Sequence, residues 1–225
     1  MSLSGSLRHA YTTAVALYSG LRLEVFGWTD PQREANYADE LLAHCLEHKL
    51  LDFENFARFY QGAILARRSD PKHGIEIMRD CMEQAEKVGS NIHLPKRLGY
   101  LATAYADLGQ YEVSLALLDE AIRAVETTSE RLFESELYRL RGELFLILGR
   151  RREAESALER AMMIARQQEA RLWELHAAMS MARLWREQGK RDEARELLAP
   201  VYGWFTEGFD TLDLKQAKAL LDELA

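Results

Sequence analysis

The sequence predicts an all-α chain, a right-handed superhelical solenoid of about five helix pairs closed by a C-terminal capping helix. Three observations predict it. Residue types recur in columns 40 positions apart, glycines punctuate apolar helical stretches, and 48% apolar residues with only four prolines leave long helices uninterrupted. The pairs are expected at 7–49, 53–88, 93–127, 131–168 and 172–205 of a single domain, with the cap at 211–224.

The columns are clearest in the last three pairs. Gly109, Gly149 and Gly189 are 40 apart. Before them stand a small residue (Ala102, Gly142, Ala182) and an aromatic (Tyr105, Phe145, Trp185). After them come a small residue (Ser114, Ala154, Ala194), a leucine (Leu118, Leu158, Leu198) and Ala121, Ala161 or Val201. Small residues belong where two helices cross closely, and the aromatic and leucine fill the space between pairs. The glycine ends the first helix of each pair in a left-handed conformation that other residues adopt at a cost.

The second pair is weaker, with Ser69 in the glycine column and Gly62, Leu65, Gly74, Met78 and Cys81 in the others. The first is fainter. Leu7 to Phe26 forms its first helix, Gly27-Trp28-Thr29-Asp30-Pro31 the turn, and Ala38, Leu42 and Cys45 mark its second helix. Thr211 is expected to cap a last helix whose stripe of Leu214, Ala217, Leu220, Leu221 and Leu224 shields the final pair.

This small–aromatic–Gly–small–Leu–Ala pattern resembles the tetratricopeptide (TPR) family over residues 56 to about 205, with a repeat of 40 rather than about 34 residues. Glu136 to Leu144, Leu184 to Lys190 and Pro200 to Thr211 also resemble the C-terminal repeat region of large bacterial regulators. Those proteins join a class III adenylate/guanylate cyclase or a DNA-binding domain to an AAA-type ATPase and then to TPRs. The resemblance implies a carboxyl-terminal regulatory piece. The opening Met1-Ser2-Leu3-Ser4-Gly5-Ser6 reads as the start of a fragment of a longer protein.

Signatures of chemistry are missing. A P-loop needs glycine five residues before Gly189-Lys190, where Leu184 stands, and no HExxH, nucleophile elbow or GxGxxG occurs. No catalytic residue, metal site or cofactor is expected. His44 and His48 share a helix face, but Cys45 points elsewhere and no third ligand is evident, so two solvent-facing histidines are expected. Trp185 belongs to the core column, while Trp173 and Trp204 are left undetermined.

Net charge is −7, with an excess of three basic residues between Arg131 and Arg195 (14 against 11 acidic). That balance argues against direct nucleic-acid binding. Two cysteines make no disulfide framework, and the first 26 residues form neither a secretory signal nor a membrane span. A cytoplasmic protein without membrane contact is expected. The turn residues Arg150, Arg151, Arg152, Lys190 and Arg191 form a basic edge, read as solvated charge or as a dock for an acidic domain.

In TPR arrays the first helix of each pair lines the concave groove. The groove positions here are Phe56, Phe59, Ala63 and Ala66; Lys96, Gly99, Thr103 and Ala106; Glu136, Arg139, Glu143 and Leu146; His176, Met179, Arg183 and Arg186. One end is apolar and the other is of mixed charge, suiting a peptide with an apolar anchor and an acidic flank. TPRs that clamp chaperone C-terminal carboxylates use Lys and Asn here, which Gly99, Thr103, Arg139 and Glu143 do not match. The expected function is a non-catalytic interaction or regulatory scaffold binding a protein, a peptide or another domain of the same chain. The alternative is an effector-sensing domain for a small molecule. Oligomeric state is left open.

Overall fold

The computed structural model describes the backbone of residues 3–26 and 31–225, and side chains over 9–21 and 32–225. The described residues form helices throughout, and two compact units divide the chain after Ile92. The 40-residue columns predict a single repeat domain running through that boundary. Its proposed turn at Gly27–Asp30 lies outside the described residues.

The first unit contains α1 (Leu3–Phe26), α2 (Pro31–His48), α3 (Leu51–Arg68) and α4 (Pro71–Lys87). The helices pack in chain order, α1 on α2, α2 on α3 and α3 on α4. Asp70 caps α4 by accepting from the His73 amide at 3.1 Å, and Pro71 follows in the first turn, where its missing N–H costs nothing. The α3–α4 crossing is close. A Cβ added to Gly74 would lie 2.5 Å from the Gly62 carbonyl oxygen, so only glycine fits there.

The buried stripe of α2 is Glu34, Ala38, Leu41 and Cys45, each 40 residues before Gly74, Met78, Cys81 and Ala85 of α4. The 40-residue register therefore runs through α2. Leu42, expected in the stripe, is half-buried, and Leu41 takes its place.

The second unit contains α5 (Leu94–Asp107), α6 (Tyr111–Thr128), α7 (Glu134–Ile147), α8 (Arg151–Gln167), α9 (Arg171–Glu187), α10 (Arg191–Tyr202) and α11 (Leu212–Glu223). The pairs are α5–α6, α7–α8 and α9–α10, and the first helices α5, α7, α9 and α11 pack in a row. Gly109, Gly149 and Gly189 have φ of 73°, 72° and 79°. In each turn the next residue's amide bonds the carbonyl of the column aromatic: Gln110 to Tyr105 at 2.9 Å, Arg150 to Phe145 at 2.8 Å, Lys190 to Trp185 at 2.9 Å. One C-terminal hydrogen-bond pattern is built three times.

The small and leucine columns are buried as the register requires, with Ala102, Ala154, Ala194, Leu158 and Leu198 fully inaccessible. α11 closes this core through Leu214, Ala217 and Leu220, joined by Leu224 just past its end, while Leu221 is half-buried. Thr211 stands at the start of α11, but its hydroxyl donates back to the Gly208 carbonyl at 2.7 Å and makes no cap bond to the helix. The expected threonine cap is replaced by a turn lock.

Candidate functional site

The helix row α5, α7, α9, α11 presents the predicted groove positions of the second unit. Spacing along an α-helix puts residues three and four apart on one face. Glu136, Arg139 and Glu143 therefore share a face of α7, and His176, Ser180 and Arg183 share one of α9. These two faces meet.

Arg139 is the centre of the meeting. Its Nε and Nη2 donate to the two Glu136 oxygens at 2.7 and 2.6 Å, a two-pronged carboxylate grip, and its Nη1 pairs with Glu143. Ser180 of α9 donates to Glu143 at 2.8 Å, and its oxygen lies 3.5 Å from Arg139 Nη1. Burial alone would lower the Arg139 pKa, but Glu136 and Glu143 outweigh it and hold the guanidinium charged. Burial pushes Glu143 up, yet Arg139 and the Ser180 hydrogen bond bring it below its ordinary value.

Arg183 differs from Arg139. It is half-buried one helix over, and burial lowers its pKa first. Glu143 opposes that shift, whereas Arg139 and Arg186 push in the same direction. Arg186 pairs with Glu223 of α11, and His176 Nε2 lies 3.1 Å from Asp213 Oδ1. Trp173 packs edge-on against Phe133 at 5.7 Å and His176 at 5.6 Å, which settles it as a core residue.

The predicted positions are less open than expected. Lys96, Glu136, Arg139, His176 and Met179 are buried, and Thr103, Glu143, Arg183 and Arg186 are half-buried. Gly99 is no gap in the wall, because a Cβ there would meet Leu137 at 2.9 Å and Phe133 at 3.0 Å. In the first unit Phe59 is a core residue at 1% exposure, and half-buried Phe56 stacks on Tyr18 at 5.1 Å. Trp204 is exposed with the Arg171 guanidinium 5.3 Å from its ring centre.

Three participants lie outside the predicted set: Ser180, Asp213 and Glu223. Glu223 was findable, since it follows Thr103, Glu143 and Arg183 in one 40-residue column extended into the cap helix.

His44 and His48 are also placed differently from expectation. Their rings are 4.5 Å apart, both are half-buried, and His44 Nε2 bonds the Ala10 carbonyl at 2.8 Å, fastening α2 to α1. Burial, with the Glu54 charge adding to it, raises the Cys45 thiol to about 11. Among the described residues no group of three or more His, Cys, Asp or Glu side chains is placed to hold a metal ion, and no helix is long and apolar enough to cross a membrane.

Residues 96–167 match the tetratricopeptide repeat. No curated protein matches the chain. Among solved structures, the TPR-like repeats of a putative kinesin light chain from Podosopora anserina share 19% identity over 90% of this chain and 96% of that one, at TM-score 0.55. PlcR of Bacillus thuringiensis, solved in complex with the peptide PapR7 and DNA, is 13% identical over 100% of this chain and 76% of its own, at TM-score 0.72. The apo form of the quorum sensor NprR from B. thuringiensis is 13% identical over 99% and 70%, at TM-score 0.65. At such identities the likeness is one of fold.

Proposed function

We propose that the TPR pairs of the second unit form a non-catalytic interaction scaffold whose inner helix face receives an acidic segment of a protein or peptide. The observation that carries this reading is the contrast between Arg139 and Arg183. Arg139 is gripped by two carboxylates inside the fold. Arg183 is half-buried, lies among Arg139, Arg186, Glu143 and Glu223, and has a pKa lowered by lost hydration. A partner carboxylate docking on Arg183 would restore what burial removes. The peptide-bound state of PlcR, a protein of like fold, supports a peptide-sized occupant. Arg139, Glu136, Glu143, His176 and Met179 then shape and rigidify the face, and Lys96, Thr103 and Arg186 extend it.

The test is a peptide array probed with the purified chain. Bound sequences should be enriched in Asp and Glu beside an apolar anchor. Arg183→Gln should weaken them about tenfold or more, the worth of a charge-assisted contact. An array without acidic enrichment, or affinity indifferent to Arg183, removes the reading.

The resemblance of Pro200 to Thr211 to the repeats of bacterial cyclase- and ATPase-linked regulators supports a wider setting: a cytoplasmic regulatory module of a larger signalling protein, with its partner in another domain of that protein. Sequencing the complete gene tests this. A reading frame without a cyclase, ATPase or DNA-binding domain would end it.

A further inference from the structure

Beyond the helix row of the second unit, the first unit holds a cleft of about 580 Å³ between α2, α3 and α4, within the usual span of ligand pockets of about 300–1,000 Å³. We propose that this cleft binds a short zwitterionic molecule with an apolar body, of the length of an extended apolar tripeptide with free termini. The proposal stands apart from the peptide reading above, which concerns other helices.

The cleft has an apolar floor of Ala35, Leu65 and Ile77, with the buried Ala38 and Ile64 behind it. A cleft floored by apolar side chains gains from excluding water with an apolar body of matching size.

The two ends of the cleft carry opposite charges. Asp39 lies at the Gln61 end, accepting from Gln61 Nε2 at 2.6 Å, and an ionised carboxylate keeps further acceptor sites beyond that one bond. Arg68 lies at the other, where its Nη2 makes a 3.4 Å contact to Gln32 Oε1. Its neighbour Arg67 is taken by Glu34, but neither Asp39 nor Arg68 makes an ion pair among the described residues. Gln61 and Arg68 are two turns apart on α3, so the charged ends are about 10 Å apart at 1.5 Å per residue. Three extended residues span about 10 Å. An ammonium at Asp39, a carboxylate at Arg68 and apolar side chains over Leu65 and Ile77 match both the charge order and the length.

The experiment uses the full chain and the tripeptide Leu-Ala-Leu, titrated calorimetrically beside its N-acetylated and C-amidated forms. Each capped form should bind about three- to fivefold more weakly, as expected for one exposed ion pair. Asp39→Asn should erase the effect of acetylation and leave that of amidation; Arg68→Gln should do the reverse. Both positions are exposed, so the variants keep the fold. No saturable binding of the free tripeptide, equal affinities of capped and free forms, or capping effects unchanged in the Asp39 and Arg68 variants would each overturn the proposal.

Discussion

Arg139 and Glu136, one turn apart on α7, are both 5% exposed and joined by two hydrogen bonds of 2.7 and 2.6 Å. Their pairing is internal to the fold, although the sequence predicts both as groove positions. Arg139→Gln should therefore destabilise the chain by about 3–5 kcal/mol, because Glu136 and Glu143 are left without their counter-charge. Arg183→Gln, at a half-buried site, should shift stability by no more than about 1 kcal/mol. Urea unfolding of both variants checks the contrast. Equal losses would mean that the two arginines do the same job.

The same cluster sets an acid limit. Glu143 is held below its ordinary pKa, so the native state binds its proton less readily than the unfolded chain does. Its contribution is complete above the ordinary carboxylate range near 4.5 and is lost as pH falls below it toward the folded value. Glu143→Gln should flatten the acid limb of the stability profile in that window and change little at pH 7 beyond a constant offset. An acid limb of unaltered slope would place the acid-labile group elsewhere.

Register is testable at a single helix crossing. Ala154 is fully buried, so Ala154→Arg sets an unpaired charge between α7 and α8 and should cost about 3 kcal/mol or more. Glu155 is no control, since it accepts from the Trp185 indole at 2.8 Å. Ser156 is exposed, and Ser156→Arg should change stability by about 0.5 kcal/mol or less. Similar melting of the two variants would contradict the assigned faces.

Much of the fold was legible because the columns that specify it are small, aromatic or glycine residues, whose types follow from packing and backbone geometry. The turns between pairs were not. Lys49, Gly89, Ser129 and Glu169 are spaced by 40 and have φ of 58°, 69°, 60° and 54°. Three of these left-handed positions lack glycine, so composition gave no column to align. The site was legible only as positions. Helical spacing placed Glu136, Arg139 and Glu143 on one face, but the Ser180 bridge that buries them depends on how α7 and α9 pack. Ala38, Leu42 and Cys45 mark α2 in the sequence, and only its buried stripe shows that Ala38 stands in the leucine column and that Leu41 rather than Leu42 faces the core.

Those glycine-free turns carry a prediction. A left-handed residue with a Cβ costs about 1–2 kcal/mol, which glycine avoids at some cost in unfolded-state entropy. Ser129→Gly and Glu169→Gly should each stabilise by about 0.5–1 kcal/mol. Thermal melts of the single and double variants check this, and a loss of stability in both would show that the native side chains contribute more than the backbone strain removes.

The final helix is a structural cap, and truncation after Asp210 tests how much depends on it. α11 buries Leu214, Ala217 and Leu220, joined by Leu224 just past its end, against the core that contains Leu198 and Val201. It also supplies Asp213 to His176 and Glu223 to Arg186. Each leucine contributes about 1.5–3 kcal/mol by burial, offset by the entropy of ordering the helix. The indirect loss is larger, because a terminal pair without its cap frays and exposes apolar surface. A net loss of about 3 kcal/mol would lower Tm by about 6–12 °C in a chain of this size. Fraying should be confined to the last pair, so amides of α9 and α10 should exchange faster while those of α5 and α6 keep their protection. The uncovered leucine face should also drive concentration-dependent self-association, seen by sedimentation. A truncated chain that stays monomeric, melts at the same temperature and protects 175–205 equally well would show that α11 is dispensable.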